Sequence, residues 1–370
     1  MSYIIPDRVE ISIIFNDMNY PLNQFNVLNF LHIGSSIRML VPTLKISVTD
    51  QSGMLGSGVL VDGCSITVVL QSLGDGRSST YKFHLSNFTS NNTPVGSQYT
   101  IYGYGYPPKY FGGTTTEGIR GTSDYVLSQI AQACQLTYDG TTTNDAQLWM
   151  PQNRSYAVFA LRTAEYGYAD EQSLMKLAFC PEGILRYKNL NKISDITLKC
   201  AQGKSDGDRF IIVDHRPSTS NGTSNLISGY NLARRRQGDT NPQQEIYDQL
   251  QFTSDSKTPL IDVTTKEQIG RGLQSFTPID FGNTNENYDR GFYQNRRYSA
   301  LLSMGTDFLT TYVSSLLLLD KIDFSAEDAN GNLDTTTSGQ YIITSKAIVA
   351  QGPNYYEKFE GVKNGTNWSK

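Results

Sequence analysis

Histidine is nearly missing from this sequence: His32, His84 and His215 are all there are in 370 residues. His84 falls mid-strand in KFHLSNF and reads as a pleat residue, while His32 follows an apolar run and reads as core. His215 alone has charged neighbours, Asp214 and Arg216, which could orient an imidazole; a solvated strand end is the plainer account. No Gly-x-Ser-x-Gly, His-Glu-x-x-His or Walker A pattern occurs, which removes the nucleophile-elbow, zincin and P-loop signatures. The four cysteines, Cys64, Cys134, Cys180 and Cys200, lie far apart with no Cys-x-x-Cys pair. Buried free thiols in a cytosolically assembled protein are therefore expected, rather than a disulfide framework or a zinc site. Charge is also sparse. Only 18% of residues are charged and the net charge is −4, so no basic face for wrapping nucleic acid is expected. No apolar run approaches the roughly 20 residues that cross a bilayer. The run at 316–319 stops at Asp320, and MSYIIPDRVEISIIF lacks the basic and cleavage regions of a signal peptide, so no membrane anchor is expected.

What the chain does have is the composition of β-structure: 32 Gly, 23 Tyr and many Thr, Ser and Asn. Aromatic and β-branched residues fill pleats, and Gly and Asn supply turns. In the first hundred residues RVEISIIF, SIRMLVPTLKISVTD, SGVLVDGCSITVVLQS, STYKFHLSNFTS and SQYTIYGYGY each suit a strand of a half-buried antiparallel sheet, as in a barrel or sandwich. Pro107-Pro108 and Gly112-Gly113 close that unit. A helix capped by Ser123 or Asp124 follows, with Val126, Leu127, Ile130, Ala131 and Cys134 on one face. A second helix, YAVFALRTAEYGY, is capped by Asn153 or Ser155 and aligns Tyr156, Phe159 and Thr163 or Tyr166. SLMKLAFC, a Pro181-Glu182-Gly183 turn and ILRYKNL then form a hairpin, which completes a small α/β insert. From 196 to 300 the chain is polar, with strand candidates in RFIIVDH and SNLISGYNLARRRQ, and 281–297 reads as a long loop or interface segment. Strands resume in FLTTYVSSLLLLDKIDFS, GQYIITSKAIVAQG and YYEKFEGVKNG. The length exceeds one usual core, so two or more subdomains are expected.

Three motifs have chemical readings. Asp328-Ala-Asn330-Gly331-Asn332-Leu-Asp334 resembles a calcium loop, but its Gly is misplaced and no Glu stands at the twelfth position. An Asn-Gly hairpin turn explains it without metal. Arg234-Arg235-Arg236 is too short for a nucleic-acid stripe and suits a subunit interface or solvent, with contact to passing DNA left open. The stretch YGYADEQSLMKLAFCPEGILRYKNL gathers Asp170, Glu171, Glu182 and Cys180. A glycosidase needs two carboxylates converging across a cleft, whereas the sequential Asp170 and Glu171 diverge on a helix or a strand. Acids beside a turn are ordinarily solvated.

Taken with its preceding helix, this stretch resembles a known family. Leu127, Ile130 and Leu136 precede a segment bearing Trp149, then SYAVFALRTAEYGY, a strand, Gly183 and ILRY. The pattern is similar to the hub proteins of contractile phage tails: the baseplate hub, the late-control tail protein and the N-terminal part of secretion-system spike proteins. The matching positions are Phe159, Ala164, Tyr166, Gly183, Leu185 and Tyr187, and GQYIITSKAIVAQGPNYYEKFEGVKNG resembles the closing strands of the hub's second barrel. The resemblance implies a β-rich α+β chain of two tube-type antiparallel β-barrel domains joined by smaller α/β domains. Residues 1–112 would be the first barrel and 113–195 a small α/β domain. Residues 196–290 would be a loop-rich connector contributing strands to the second barrel, which spans 291–370. It implies a homotrimer that adapts a hexameric tail tube to a trimeric central spike beside baseplate wedge proteins. DNA would pass transiently through a mildly acidic lumen. No cofactor, metal or catalytic residue is implied, and the location would be the virion tail baseplate, assembled in the host cytoplasm. With Lys370 last and no triplex β-helix after it, any spike is expected to be a separate protein. Two other readings stand beside this one. A tail-tip cell-wall hydrolase would draw on Asp170, Glu171 and Glu182. A carbohydrate-binding tail-fibre or capsid protein would draw on the Tyr-rich surface, although the α/β insert speaks against it.

Overall fold

The computed structural model describes residues 8–203, 210–218, 260–261, 268–269, 287, 290–292, 294–295, 302 and 304–363, apart from single positions 75, 95, 329, 336 and 353. The first body is a sheet of seven strands: β1 (Val9–Phe15), β2 (Met18–Tyr20), β3 (Asn26–Ser36), β4 (Thr43–Asp50), β5 (Ser65–Ser72), β6 (Ser78–Thr93) and β7 (Gly96–Gly105). Their spatial order is β2-β1-β5-β6-β7-β4-β3, antiparallel throughout. Side chains alternate between faces along each strand. Leu44, Ile46 and Val48 of β4 therefore point into a core with Ile66, Val68, Phe83 and Ile101, while Thr43, Lys45 and Ser47 point out. The sequence reading missed β3 and extended its neighbour β4 back over the intervening turn. SIRMLVPTLKISVTD is a strand only from Thr43, because 37–42 turn between β3 and β4. A register shift between Leu28 and Phe30 breaks the alternation of β3 and hides it from a period-two search.

The chain then leaves the sheet through α1 (Lys109–Gly112), β8 (Thr114–Thr115), β9 (Ile119–Gly121), α2 (Ser123–Ala133), β10 (Thr137–Gly140), β11 (Gln147–Trp149), β12 (Arg154–Ser155), α3 (Tyr156–Glu165), β13 (Met175–Cys180) and β14 (Ile184–Asn189). Thr122, not Ser123 or Asp124, caps α2 by accepting from Tyr125 N, and Ser155 caps α3 by accepting from Val158 N. Val126, Leu127, Ile130 and Ala131 pack on Phe159, Ala160 and Ala164 over the sheet β10-β14-β13, whose first pair is parallel.

The second body collects β15 (Leu198–Gln202), β16 (Phe210–Ile212), β17 (Asp214–Ser218), β20 (Met304–Thr310), β21 (Lys321–Ser325), β22 (Gly339–Gln351) and β23 (Asn354–Lys363); β18 (Leu260–Ile261) and β19 (Gln268–Ile269) pair only with each other among the described residues. Residues 210–218 bend at Val213, so β16 pairs with β15 while β17 pairs with β20. The ladders β15-β21-β22-β23-β20 then return to that bent strand, and the pairing runs in a ring. The expectation of antiparallel sheets needs correction here: β15 pairs in parallel with both β16 and β21. Parallel neighbours need a long crossover, and more than a hundred residues separate β15 from β21. FLTTYVSSLLLLDKIDFS is likewise two strands, β20 and β21, separated by a buried irregular stretch that holds the apolar residues 316–319.

One hairpin belongs to both bodies. β22 pairs with β21 through Gly339–Ile342, shifts register between Ile343 and Ser345, and then pairs with β3 through Ser345–Ala350. Ile348, Ala350 and Tyr355 at its tip close the first core, while Tyr341, Ile343, Phe359 and Val362 at its base close the second. The result is β-rich with a minor α/β unit, and the three cores meet where β22, β23 and the β13–β14 turn converge.

Candidate functional site: a buried polar junction

The stretch at 166–190 supplies one wall of that meeting point. β13 and β14 are joined by a turn in which Gly183 adopts φ +81°, a left-handed conformation that favours glycine. At the same turn Pro181 O accepts from Lys82 N of β6 at 3.0 Å, which stitches the hairpin to the first sheet. Tyr187 is fully buried with its hydroxyl 3.2 Å from Ser123 Oγ, and a Cβ on Gly167 would lie 1.7 Å from that hydroxyl. Cys180 is shut in the core, and burial, with the nearby Glu182 charge adding to it, pushes its thiol far above the ordinary range. It is inert as a nucleophile, since the thiolate is the reactive form.

The acids do not converge. Asp170 lies ahead of β13, where Lys192 pairs with it; burial opposes the ionised form, but the Lys192 hydrogen bond and Gln172 N outweigh it and hold the carboxyl below its usual value. Glu182 sits at the other end of β13, six residues of strand away, or about 20 Å. That exceeds the roughly 5–10 Å of glycosidase pairs. Glu171 shares the exposed turn with Asp170.

The charged centre of the junction was not named by the sequence reading. Lys346 of β22 is buried and donates to Leu316 O at 3.0 Å, Ser314 O at 3.3 Å and Tyr81 Oη at 3.4 Å. Glu357 of β23 lies 3.6 Å from its ammonium and accepts from Ser314 N at 3.1 Å, from Ser314 Oγ and from Tyr355 Oη at 2.5 Å. Burial alone would lower the lysine pKa, but the Glu357 charge raises it overall, so the lysine keeps its proton. Beside it Arg186 of β14 bonds Asp320 at 2.7 Å, Leu318 O at 2.6 Å and Asp139 at 2.9 Å, and Lys188 also reaches Asp139. A signal for the first pair was present in the sequence. Lys346 is in phase with Ile348 and Ala350, and Glu357 with Tyr355 and Phe359, so each strand carries a charge among the apolar residues of its buried face.

A second missed element lies within 281–297, expected as a long loop or interface segment: its described residues, 287, 290–292, 294 and 295, are helical, and Arg290, Gly291, Gln294 and Asn295 are buried. Gln294 Nε2 donates to Asp170 O at 2.6 Å and Ser173 O at 2.7 Å; Asn295 donates to Gly167 O and accepts from Met175 N at 2.7 Å. Phe292 stacks on Tyr166 at 4.8 Å. Two amide side chains thus satisfy the backbone of the turn between α3 and β13.

The remaining expectations resolve simply. His32 is not core: its half-buried ring lies on the outer face, stacked 6.4 Å from Phe30, and burial with nearby Lys45 lowers its pKa. His84 lies on the same face opposite Tyr104. The His215 ring packs 5.2 Å from Phe324, while exposed Asp214 and Arg216 pair with each other at 3.4 Å, so they do not orient it. Asp328 Oδ1 accepts from Asn330 N and Asn332 N in a turn with Gly331 at φ +81°, so the calcium-like motif is a hairpin turn. Arg234–Arg236 and the strand candidate around them lie outside the described residues.

No protein-family model and no curated protein sequence matches the chain. Solved structures do. A tail protein from Neisseria meningitidis MC58 matches with a TM-score of 0.57 at 8% identity, covering 97% of each chain. This is a tail-protein fold. The 43 kDa tail protein of prophage MuSo2 from Shewanella oneidensis follows, with a TM-score of 0.55 at 10% identity and 96% of each chain covered. The E. coli c3393 protein, a type VI secretion component similar in structure to the T4 tail proteins gp27 and gp5, matches at 0.53 and 8% identity, over 97% of this chain and 77% of its own. At such identities it is the fold that is shared, over almost the whole chain.

Proposed function

We propose that this chain is a structural baseplate hub of a phage-type tail, without catalytic activity. The observation that carries the reading is the ladder between β3 and β22, which joins two β bodies side by side in one chain. Two tube-type barrel domains per chain and three chains per ring would present six similar modules to a hexameric tail tube and three identical faces to a central spike. The near-complete correspondence with tail-protein folds supports this, and the buried junction supports the rigid spacing such an adaptor needs. Residues 1–112 and 291–370 would supply the barrels, 113–195 the peripheral α/β domain and 196–290 the connector. The partners would be two further copies of the chain, the tube protein, the spike and wedge proteins, with DNA passing transiently through the lumen. The place of action would be the virion tail baseplate, after assembly in the host cytoplasm. A peptidoglycan-clearing assay with Asp170→Ala, Glu171→Ala and Glu182→Gln tests the absence of chemistry. No clearing by any form is expected, and clearing by the parent chain that one substitution abolishes in a folded protein would overturn the scaffold reading.

A further inference from the structure

Among the described residues the junction holds one carboxylate more than its cations can serve. Lys346 is paired with Glu357, Arg186 with Asp320, and Lys188 with Asp139. Glu182 is left over. As a residue it is half-buried, but its Oε2 is shut off from solvent and has no hydrogen-bond partner among the described residues. Its charge would interact with Lys346 of β22, Glu357 of β23, Asp320 of the loop before β21 and Tyr81 of β6. Cys180 of β13, two residues away, lies within the field of Glu182, Arg186 and Asp320. An ionised Glu182 would be a buried charge in the field of two other carboxylates, with its own backbone N–H and an already-paired lysine to offset it.

We infer that Glu182 is a proton-operated wedge in the joint between the α/β hairpin and the two β bodies. As a neutral acid it fills its place without charge. When it ionises, the cost of a charge on a carboxyl shut off from water, with repulsion from Glu357 and Asp320 added, loosens the docking of the β13–β14 turn against β6 and the β22–β23 hairpin. Burial, first, and the two neighbouring carboxylates raise its pKa above the ordinary 4.5, against the opposing pull of Lys346. The sign follows from linkage. A carboxyl whose folded pKa is raised contributes stability that is fully present below its unfolded value and is lost as pH climbs through the folded value.

The test compares the full chain with Glu182→Gln, the uncharged isostere, between pH 4 and pH 9, a window that opens below the ordinary carboxyl value. Melting temperature is read first, and then amide hydrogen exchange of 175–189 and 345–357 with both proteins at the same pH, so that intrinsic rates cancel. The parent should lose melting temperature relative to the variant as pH rises. Its exchange in these segments should be faster by about tenfold for each unit by which the folded pKa exceeds the ordinary one. Parallel pH profiles would overturn the inference. So would a Glu182→Gln chain that fails to fold at pH 6, because that outcome requires the ionised form in the native state.

Discussion

Replacing Lys346 with methionine removes the ammonium and keeps most of the stem. Glu357, fully buried, is then left with Ser314 and Tyr355 as donors and no countercharge. At 3.6 Å and an effective dielectric of about 20, the lost attraction is about 4 to 5 kcal/mol. Breaking one side of a buried pair typically costs about 3–5 kcal/mol, so both routes give the same scale. That is a large fraction of the roughly 5–15 kcal/mol available to a folded domain. Glu357→Gln should cost less, because Glu182 lies where it can take up the charge of Lys346. The double variant Lys346→Met/Glu357→Gln keeps the acceptor for Ser314 N and Tyr355 Oη, and should fall within about 1 kcal/mol of the parent. Urea unfolding of the four proteins closes the cycle, with an expected coupling of at least about 3 kcal/mol. A double variant as unstable as the sum of the singles would show that the pair is no unit and would refute the reasoning.

A Cβ on Gly291 would meet Tyr166 O at 2.3 Å and Gly167 O at 2.9 Å, both backbone atoms. Gly291→Ala should therefore displace the 287–295 segment and cost about 2–3 kcal/mol, seen as protease sensitivity near 170; Gly183→Ala, strained only by φ, should cost about 1 kcal/mol. Arg186→Met strands the buried Asp320 and should cost about 3 kcal/mol in urea unfolding. Asp139→Asn, at a side chain 40% exposed, should cost under about 1 kcal/mol. All four cysteines are buried, and burial pushes Cys134 up to about 11 and Cys200 to about 12. A thiol reagent at pH 8 should label none in the folded chain and four in denaturant.

Strands and helices with unbroken periodicity were legible in the sequence. β5, with Ile66, Val68 and Leu70 in strict alternation, and α2, with its apolar face, are two examples. β3 was not, because its register shift moves the apolar phase from one face to the other midway. With β3 unseen, the joint between the two β bodies was unseen too, since β22 shows its length but not its partner. The acids at 166–190 drew attention by proximity in sequence, yet β13 carries Asp170 and Glu182 to opposite ends of the hairpin. The charges that matter were visible only as a wrong residue type in the right phase, Lys346 and Glu357. The 287–295 segment was opaque for a different reason. Gln294 and Asn295 are buried by bonding backbone groups, and no hydrophobic pattern marks such burial.

The central claim is that this chain is an adaptor built from paired β modules, and imaging its assembled state tests that most directly. Electron microscopy of the full chain, alone and mixed with a cognate tube protein and spike, should show a threefold ring with sixfold-like density toward the tube and the spike on the opposite side. A chain that remains monomeric in every mixture, with its fold intact, would contradict the account.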